Sequence, residues 1–358
     1  MSEMFHVKEV FLEQWDNHWQ RLPKANMLQC WQYGTAKEQA DGWRALRFLV
    51  SESGERPVAL AQILTRSLPL LGGIARLNRG PLLLDELPED QTIERALEVL
   101  RTLLREARRR CWWVVQIAPE LPDTETVRQR LTQLGLRRRP EPAWASGRLG
   151  LGVDEQTLLM GLNGKWRNCM RKGERLGVEV TSQHGSGSEQ DLLIGSYAAL
   201  QRAKGFEGLS ETLIRSLAEQ QGHAWQFDLF IARAANAPAN DDPLGILVSI
   251  RHGDTTTYLI GSTNDQGRQM QANSVLLWRA ILHAKRAGCA WFDIGGLNAA
   301  TPKGIAEFKK GLNAVPYALA GEWRYTFFPA SATLGSVRAV QNDVKNLYHQ
   351  FIDPQGMQ

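Results

Sequence analysis

The sequence has little of what marks metal-binding, redox and membrane proteins. Its 358 residues include four cysteines, which lie far apart without a Cys-x-x-Cys pair, so neither a zinc ribbon nor a dithiol site is indicated. No stretch approaches the roughly 18 uncharged apolar residues that a membrane-spanning helix needs. The N-terminal segment is charged throughout and lacks the apolar core of a secretory signal, so we expect a cytoplasmic protein.

Motifs of common catalytic sites are also missing. The chain has no HExxH, GxSxG or Walker A sequence, so a zinc hydrolase, a serine esterase and a P-loop enzyme have no support. Cys111 and Cys289 each begin an apolar run, where a buried thiol is expected. The seven histidines are scattered; we interpret each as an ordinary surface or core residue and predict no metal site. They include His184, His223, His252 and His283.

The composition is that of an ordinary folded protein. Hydrophobic residues make up 43% and charged residues 22% of the chain, and at roughly 150 residues per domain the length favours two domains. Residues 140–152 are rich in proline and glycine and indicate the crossing between them. We predict a first domain at 1–148, completed by the C-terminal segment 326–358, and a second domain at 149–325.

Strand and helix patterns alternate in both halves. The first half has a hairpin at 43–64, a helix with Thr92 as its expected cap, and an apolar strand after Cys111. The second half repeats this order, and the junctions "RRCWWVVQIAPEL" and "AGCAWFDIGGL" share a Cys followed two residues later by a Trp. The pattern predicts an internal duplication in an α/β (α+β) protein, each half a mixed sheet flanked by helices. A final helix is predicted at 335–351.

Positive charge is concentrated in one predicted helix, "GKWRNCMRKGER". Like charges three or four residues apart on a helix repel one another, and an anionic partner would relieve this repulsion. Polyanion binding is therefore favoured, with a solvated helix face as the alternative. The cations are Lys165, Arg167, Arg171, Lys172 and Arg175.

Several stretches together resemble the Fem family. They are "QCWQYGTAKEQADGW", "NRGPLLL", "LNGKWRNCMRKGERLGVEV", "AWFDIGG" and "GIAEFKKGLNAVPYALAGEWRY", in order along nearly the whole chain. Fem proteins are transferases with two tandem GNAT-like domains that take an amino acid from aminoacyl-tRNA and join it to an amine. They are best known from the interpeptide bridge of peptidoglycan precursors. The long helical arm of some members has no room here, because "SLAEQQGHAWQFDLF" passes directly from helix to strand.

The resemblance implies an enzyme that forms a peptide bond. Aminoacyl-tRNA would be the co-substrate, no further cofactor would be needed, and the acceptor would be a peptide or a nucleotide-linked peptide. We expect a monomer. The basic helix would then bind tRNA. The amino acid transferred and the identity of the acceptor stay open.

The resemblance also implies roles for single residues. Lys309 would stabilise the negative charge that develops on the ester carbonyl, an effect typically worth a few kcal/mol, and Phe308 would pack beside the terminal adenosine or the amino acid. Asp293 ends a strand, after which Gly295 and Gly296 would clear space for the tRNA terminus. Replacing Lys309 by Met is expected to change stability little. Lys310 would be solvated.

Acceptor binding is assigned by the same resemblance. Three residues match those that hold the phosphates of a nucleotide-linked precursor: Lys37, Tyr258 and, less closely, Arg202.

Two alternatives remain. One is an acyl-CoA-dependent GNAT N-acyltransferase; the loop around Gly267 disfavours it, because Met270, Gln271 and Asn273 stand where small residues would admit a pyrophosphate. The other is a non-catalytic GNAT pair that binds tRNA or precursor.

Overall fold

A computed structural model describes residues 5–53, 56–68, 72–187, 189–238, 241–299 and 301–328. The chain divides into two compact units. Among the described residues, the first unit runs to Trp144 and resumes at Ala318, while the second runs from Ala145 to Tyr317. The helix predicted at 335–351 lies outside the described residues.

The first unit contains one mixed sheet and its helices. Its strands are β1 Phe5–Glu9, β2 Arg44–Glu52, β3 Arg56–Leu68, β4 Gly72–Asn78, β5 Leu82–Leu83, β6 Trp112–Ala118, β7 Arg137–Arg138 and β15 Trp323–Thr326. Its helices are α1 Leu12–Trp19, α2 Trp31–Asp41, α3 Glu89–Arg109 and α4 Glu125–Gln133, with a 3₁₀ turn at Met27–Gln29.

The second unit is built in the same way. Its strands are β8 Ala145–Gly150, β9 Val178–His184, β10 Trp225–Ala234, β11 Gly245–His252, β12 Thr255–Thr263, β13 Trp291–Asp293 and β14 Val315–Ala318. Its helices are α5 Glu155–Gly161, α6 Gly164–Arg175, α7 Gln190–Lys204, α8 Glu211–Glu219, α9 Asp265–Gln269, α10 Ala272–Arg286 and α11 Lys303–Lys310. Residues 220–224 alone link α8 to β10, so no helical arm is inserted between them.

The two sheets follow one plan. The first has the order β1-β2-β3-β4-β6-β15-β7, with β5 beside β3, and the second the order β14-β8-β13-β12-β11-β10-β9. In each, an antiparallel run of strands is followed by a long helix and then by a strand that pairs in parallel with the end of the run: β6 with β4, and β13 with β12. This shared order supports the duplication expected from the sequence.

Strand pairing indicates where each unit begins and ends along the chain. Strand β8 pairs with β13 of the second sheet, and β15 pairs with β6 of the first. The predicted boundaries at 148 and 325 therefore differ from the observed ones, because strand pairing assigns Ala145 to the second unit and Trp323 to the first.

Helix α3 packs its apolar face on the first sheet, where Leu100, Leu103 and Leu104 belong to one buried cluster with Val115. The helix begins at Glu89, so the expected cap was wrong: Thr92 lies in the first turn, and its hydroxyl donates to Leu87 O at 2.9 Å.

The prediction for Cys111 was also wrong. The residue is exposed because it forms the left-handed turn (φ +57°) between α3 and β6. Cys289, by contrast, is buried as expected.

The basic helix was predicted to continue directly from the apolar segment before it, but the structure shows two separate helices, α5 and α6. Asn163 separates α5 from α6, and its side chain accepts a hydrogen bond from Lys165 N at 2.9 Å. Such a cap satisfies a free N–H group at the helix start. Helix α6 buries Trp166, Met170 and Gly173, and it packs on α10.

The contact between α6 and α10 depends on Gly173. A Cβ there would lie 2.6 Å from Val275 Cγ2 and 3.0 Å from Met270 O. We expect Gly173→Ala to lower the free energy of unfolding by about 1–3 kcal/mol, because the backbone oxygen cannot move aside. Equilibrium urea denaturation measures the change. Gly164→Ala in the same helix, where the nearest atom is 3.8 Å away, is the matched control and should be neutral or slightly stabilising. Equal stability of the two variants would contradict the packing argument.

Candidate active site

Strand β13 ends at Asp293, a carboxylate that is 3% exposed. Its Oδ1 accepts from Gly295 N at 2.9 Å and lies 2.5 Å from Ser146 Oγ. Its Oδ2 accepts from the Tyr317 hydroxyl at 2.5 Å. We call Ser146, Asp293, Gly295 and Tyr317 the Asp293 network. Because each carboxylate oxygen has a donor, the network fixes the conformation of the chain where it leaves the strand.

The network reaches the neighbouring strand through an arginine. Arg148 of β8 is the register partner of Asp293, and its guanidinium lies 4.2 Å from the centroid of the Tyr317 ring. A cation over an aromatic face is attracted by the electron-rich ring. Arg148 therefore helps to hold the phenol that donates to Asp293.

Lys309 enters the same region from helix α11. Its side chain is 1% exposed, and Nζ donates to Gly296 O at 3.1 Å. The same atom lies 4.9 Å from the centroid of the Tyr258 ring. Lys310, the next residue, is exposed. Adjacent helix residues point roughly 100° apart, which is why one lysine turns inward and the other faces solvent.

Burial changes the acid–base properties of this amine. It lowers the pKa of Lys309 from 10.5 to about 7, and the negative charge of Asp293 opposes the shift. Burial also raises the pKa of Tyr258, so its phenol stays protonated. Near neutral pH the Lys309 amine can therefore both hold and release a proton, as groups at catalytic sites often do.

Gly295 makes room for the lysine. Its φ of +72° is one that residues with a Cβ rarely adopt, and a Cβ there would lie 2.8 Å from Tyr258 O and 3.2 Å from Lys309 Nζ. The sequence-based interpretation gave this space to a tRNA terminus. In the structure the Lys309 amine and Tyr258 lie against Gly295, while the predicted approach of a tRNA terminus to Gly295 and Gly296 stays a prediction.

Phe308 of α11 is half-buried and packs against the hydrophobic core of the second unit. Its ring centroid is 5.9 Å from that of Trp166 on α6. The contact joins α11 to the basic helix, while the predicted contact of Phe308 with substrate stays a prediction.

The three residues predicted to bind the acceptor lie in different surroundings. Tyr258 is 7% exposed and belongs to the core of the second unit, against Lys309. Arg202 is exposed and lines a cavity of about 520 Å³ beside α7 and α8. Lys37 lies in the first unit, 5% exposed, and forms an ion pair with Asp41. Their roles in acceptor binding stay predictions.

The cations of helix α6 fall into two groups. Arg167 donates to the carbonyl oxygens of Met160, at 2.8 Å, and Leu162, so it closes the end of α5. The other four are exposed, and none forms an ion pair with a residue in the described ranges. At roughly 100° per residue they span an arc of about 120° opposite the buried face. These four, the basic face, are Lys165, Arg171, Lys172 and Arg175.

Ser146, Arg148 and Tyr317 are site residues that the sequence did not predict. Tyr317 stands in the "YALAG" part of the Fem-like stretch, which is a signal that could have identified it. Ser146 lies in the proline- and glycine-rich crossing and is 147 residues from Asp293 in sequence. No local pattern connects these two residues, because only the pairing of β8 with β13 brings them together.

A family model agrees with this architecture. Residues 163–310, which contain Asp293 and Lys309, match the model described as Acetyltransferase (GNAT) domain. No curated protein matches the chain.

Solved structures with a similar fold cover both units. FemX is 16% identical with a TM-score of 0.71, over 90% of this chain and 97% of that one. A tandem GNAT protein from the clavulanic acid biosynthesis pathway is 13% identical with a TM-score of 0.56, over 91% and 100%. The C-terminal domain of a putative lysylphosphatidylglycerol synthetase from Agrobacterium fabrum is 12% identical with a TM-score of 0.50, over 89% and 92%. The predicted fold class, two GNAT-like mixed sheets flanked by helices, is confirmed.

No helix within the described part of the chain is long and apolar enough to span a bilayer.

The lowered pKa of Lys309 links stability to pH. The unfolded chain keeps a pKa near 10.5, whereas the folded protein has about 7. Between these values the unfolded state binds one more proton, so stability rises with pH by up to about 1.4 kcal/mol per unit. We expect Lys309→Met to lose this slope and to be more stable than wild type at pH 7, which replaces the expectation of little change.

Denaturation of both proteins between pH 7.5 and 9.5 measures the difference. Lys310→Met is the control, since this lysine is exposed, and it should keep the wild-type slope. Parallel slopes for wild type and Lys309→Met would show that the amine has an ordinary pKa.

Proposed function

We propose that the protein is an aminoacyltransferase that moves an amino acid from aminoacyl-tRNA to an amine of a peptide acceptor. The observation that carries the proposal is the buried Lys309 amine, with a pKa of about 7, at the end of strand β13. The GNAT-domain match over residues 163–310 and the FemX-like fold of the whole chain support acyl transfer in general. The use of aminoacyl-tRNA as the donor is tested by the experiments below.

The chemistry requires a group that stabilises negative charge. The acceptor amine attacks the ester carbonyl, a C–N bond forms, and the C–O bond to the tRNA ribose breaks as the ribose oxygen takes a proton. Charge builds on the carbonyl oxygen during the attack, and a donor held in a water-poor site stabilises it strongly. The Lys309 ammonium carries three N–H donors, so it can serve this oxygen and keep its bond to Gly296 O.

Substrate binding must uncover this amine. Lys309 is 1% exposed, so we expect side chains around it to move when the donor binds. The Asp293 network would hold the end of β13 in place meanwhile, because Asp293 bonds to the backbone of Gly295 and to Tyr317.

Three observations favour aminoacyl-tRNA over acyl-CoA as the donor. CoA binding in this fold needs free backbone N–H groups at a helix start. The first turn of α10 is largely buried: Ala272 is 0% and Ser274 4% exposed. Gly173 of α6 packs against Met270 O, and Gly267 N already donates to Asn264 Oδ1 at 2.7 Å. These contacts leave little room for a pyrophosphate.

A non-catalytic binding module is disfavoured by the lysine itself. Taking an amine out of water costs free energy, and nothing in a passive binding surface requires that cost. Because aminoacyl-tRNA is a cytoplasmic molecule, the proposal places the protein in the cytoplasm, with no cofactor beyond that substrate.

The direct test is a transfer assay. Protein is incubated with total aminoacylated tRNA and a panel of peptide and nucleotide-linked peptide acceptors, and separately with acetyl-CoA and the same acceptors; mass spectrometry then detects the product. We expect an added aminoacyl residue only with tRNA. Lys309→Met should lower kcat about 10²–10³-fold, as for loss of one oxyanion donor, and Lys310→Met should stay near wild type. Acetyl transfer, or full activity of Lys309→Met, would contradict the proposal.

The basic face should bind the tRNA through its phosphates. Replacing Arg171, Lys172 and Arg175 by Gln should weaken tRNA binding and flatten its dependence on salt concentration, because fewer counterions are released. Arg167 is left intact, since its side chain caps the C-terminal end of α5. Filter binding at several salt concentrations measures the slope. A matched triple variant on α3, at Arg101, Arg105 and Arg109, removes the same charge and should keep the wild-type slope; the reverse result would place the tRNA elsewhere.

A further inference from the structure

Two histidines and an aspartate meet on the second sheet, outside the Asp293 network. His184 ends β9, Asp228 lies in β10, and His283 comes from the last turn of α10. His184 and Asp228 are direct register partners across the strand pair, so their side chains share one face of the sheet. One ligating atom from each of the three residues lies within 4.8 Å of the others.

The distances within this cluster suit a metal ion. His283 Nε2 lies 3.5 Å from Asp228 Oδ2. Ligands about 2.0–2.1 Å from a tetrahedral zinc ion are about 3.4 Å apart, so this gap matches one edge of such a site. His184 Nδ1 is hydrogen-bonded to the other oxygen, Oδ1. Its side chain is 57% exposed and can therefore adjust by the small amount that coordination requires.

The burial pattern points to a missing partner. Asp228 is 2% exposed. His283 Nε2 is buried and forms no hydrogen bond to a residue in the described ranges. The hydroxyl of Ser249, which is the register partner of Asp228 on β11, is also buried without a hydrogen-bond partner among these residues. Polar atoms buried in this way are uncommon and call for a ligand or an ion.

A supporting residue lies beside the cluster. Gln226 Nε2 donates to Asp228 Oδ1 at 2.9 Å, and Gln226 Oε1 accepts from Arg251 at 3.1 Å. Such bonds orient a carboxylate that ligates a metal.

We propose that His184, Asp228 and His283 form a binding site for a divalent transition metal, with zinc as the expected ion. Two imidazoles and one carboxylate are ligands that zinc prefers, with water completing four-coordination. The ion joins β9, β10 and α10, which are far apart in sequence, and so stabilises the second unit. The site is separate from the transfer chemistry, so its test stands independently of the proposed function.

Direct metal binding tests the site. Untagged protein is dialysed against a chelator and titrated with Zn²⁺ in competition with a chromogenic chelator, and Co²⁺ is added separately to record visible absorption. We expect one equivalent per chain, a Co²⁺ spectrum typical of four-coordination, and a higher melting temperature with zinc. His184→Ala, Asp228→Asn and His283→Gln should each weaken binding at least about tenfold.

His223→Ala is the control, because His223 is an exposed histidine of the same unit, and it should bind as wild type does. Circular dichroism checks the folding of each variant, and His184→Ala, which alters an exposed side chain, keeps the test valid if a buried variant fails to fold. Failure to bind one equivalent, or equal affinities of His184→Ala and His223→Ala, would overturn the proposal.

Discussion

The candidate site depends on the burial of one amine at the end of a central strand. Lys309 can lie there only because Gly295 has no side chain and adopts a left-handed conformation. Asp293 in turn fixes Gly295 through its backbone N–H, and its charge limits how far burial lowers the pKa of the amine. The strand end, the glycine and the lysine therefore depend on one another, and none of them can be changed without affecting the others.

The duplicated plan shows how such a site arises from a common scaffold. Strands β6 and β13 hold equivalent places beside the antiparallel runs. Counted from the shared cysteines, Val115 corresponds to Asp293. Val115 is part of the hydrophobic core of the first unit, whereas Asp293 organises polar groups in the second. One sheet position therefore serves stability in one unit and the proposed chemistry in the other, as expected when function depends on sites rather than folds.

Much of the fold could be predicted from local patterns. The apolar periodicity of α3 and α10 and the β-rich hairpin at 43–64 identify their elements, because these patterns reflect which face is buried. Thr92 and Cys111 were misjudged because end positions depend on turn geometry, which neighbouring residues decide.

The candidate site was only partly accessible from the sequence. The stretch from Asp293 to Lys309 carries a recognisable motif, but the burial of Lys309 follows from a backbone angle at Gly295. Ser146 joins through strand pairing across the second unit. The cluster of His184, Asp228 and His283 was missed for the same reason: each residue is unremarkable in sequence, and three separate elements bring them together.

The most direct measurement is the pKa of Lys309 itself. Its side-chain signal can be followed by NMR through a pH titration of protein labelled at lysine, with the signal assigned by its loss in a variant that lacks this residue. We expect a midpoint of about 7 for Lys309. A midpoint near the ordinary value of 10.5 would contradict it, because the amine would then be solvated and no longer held against the strand end.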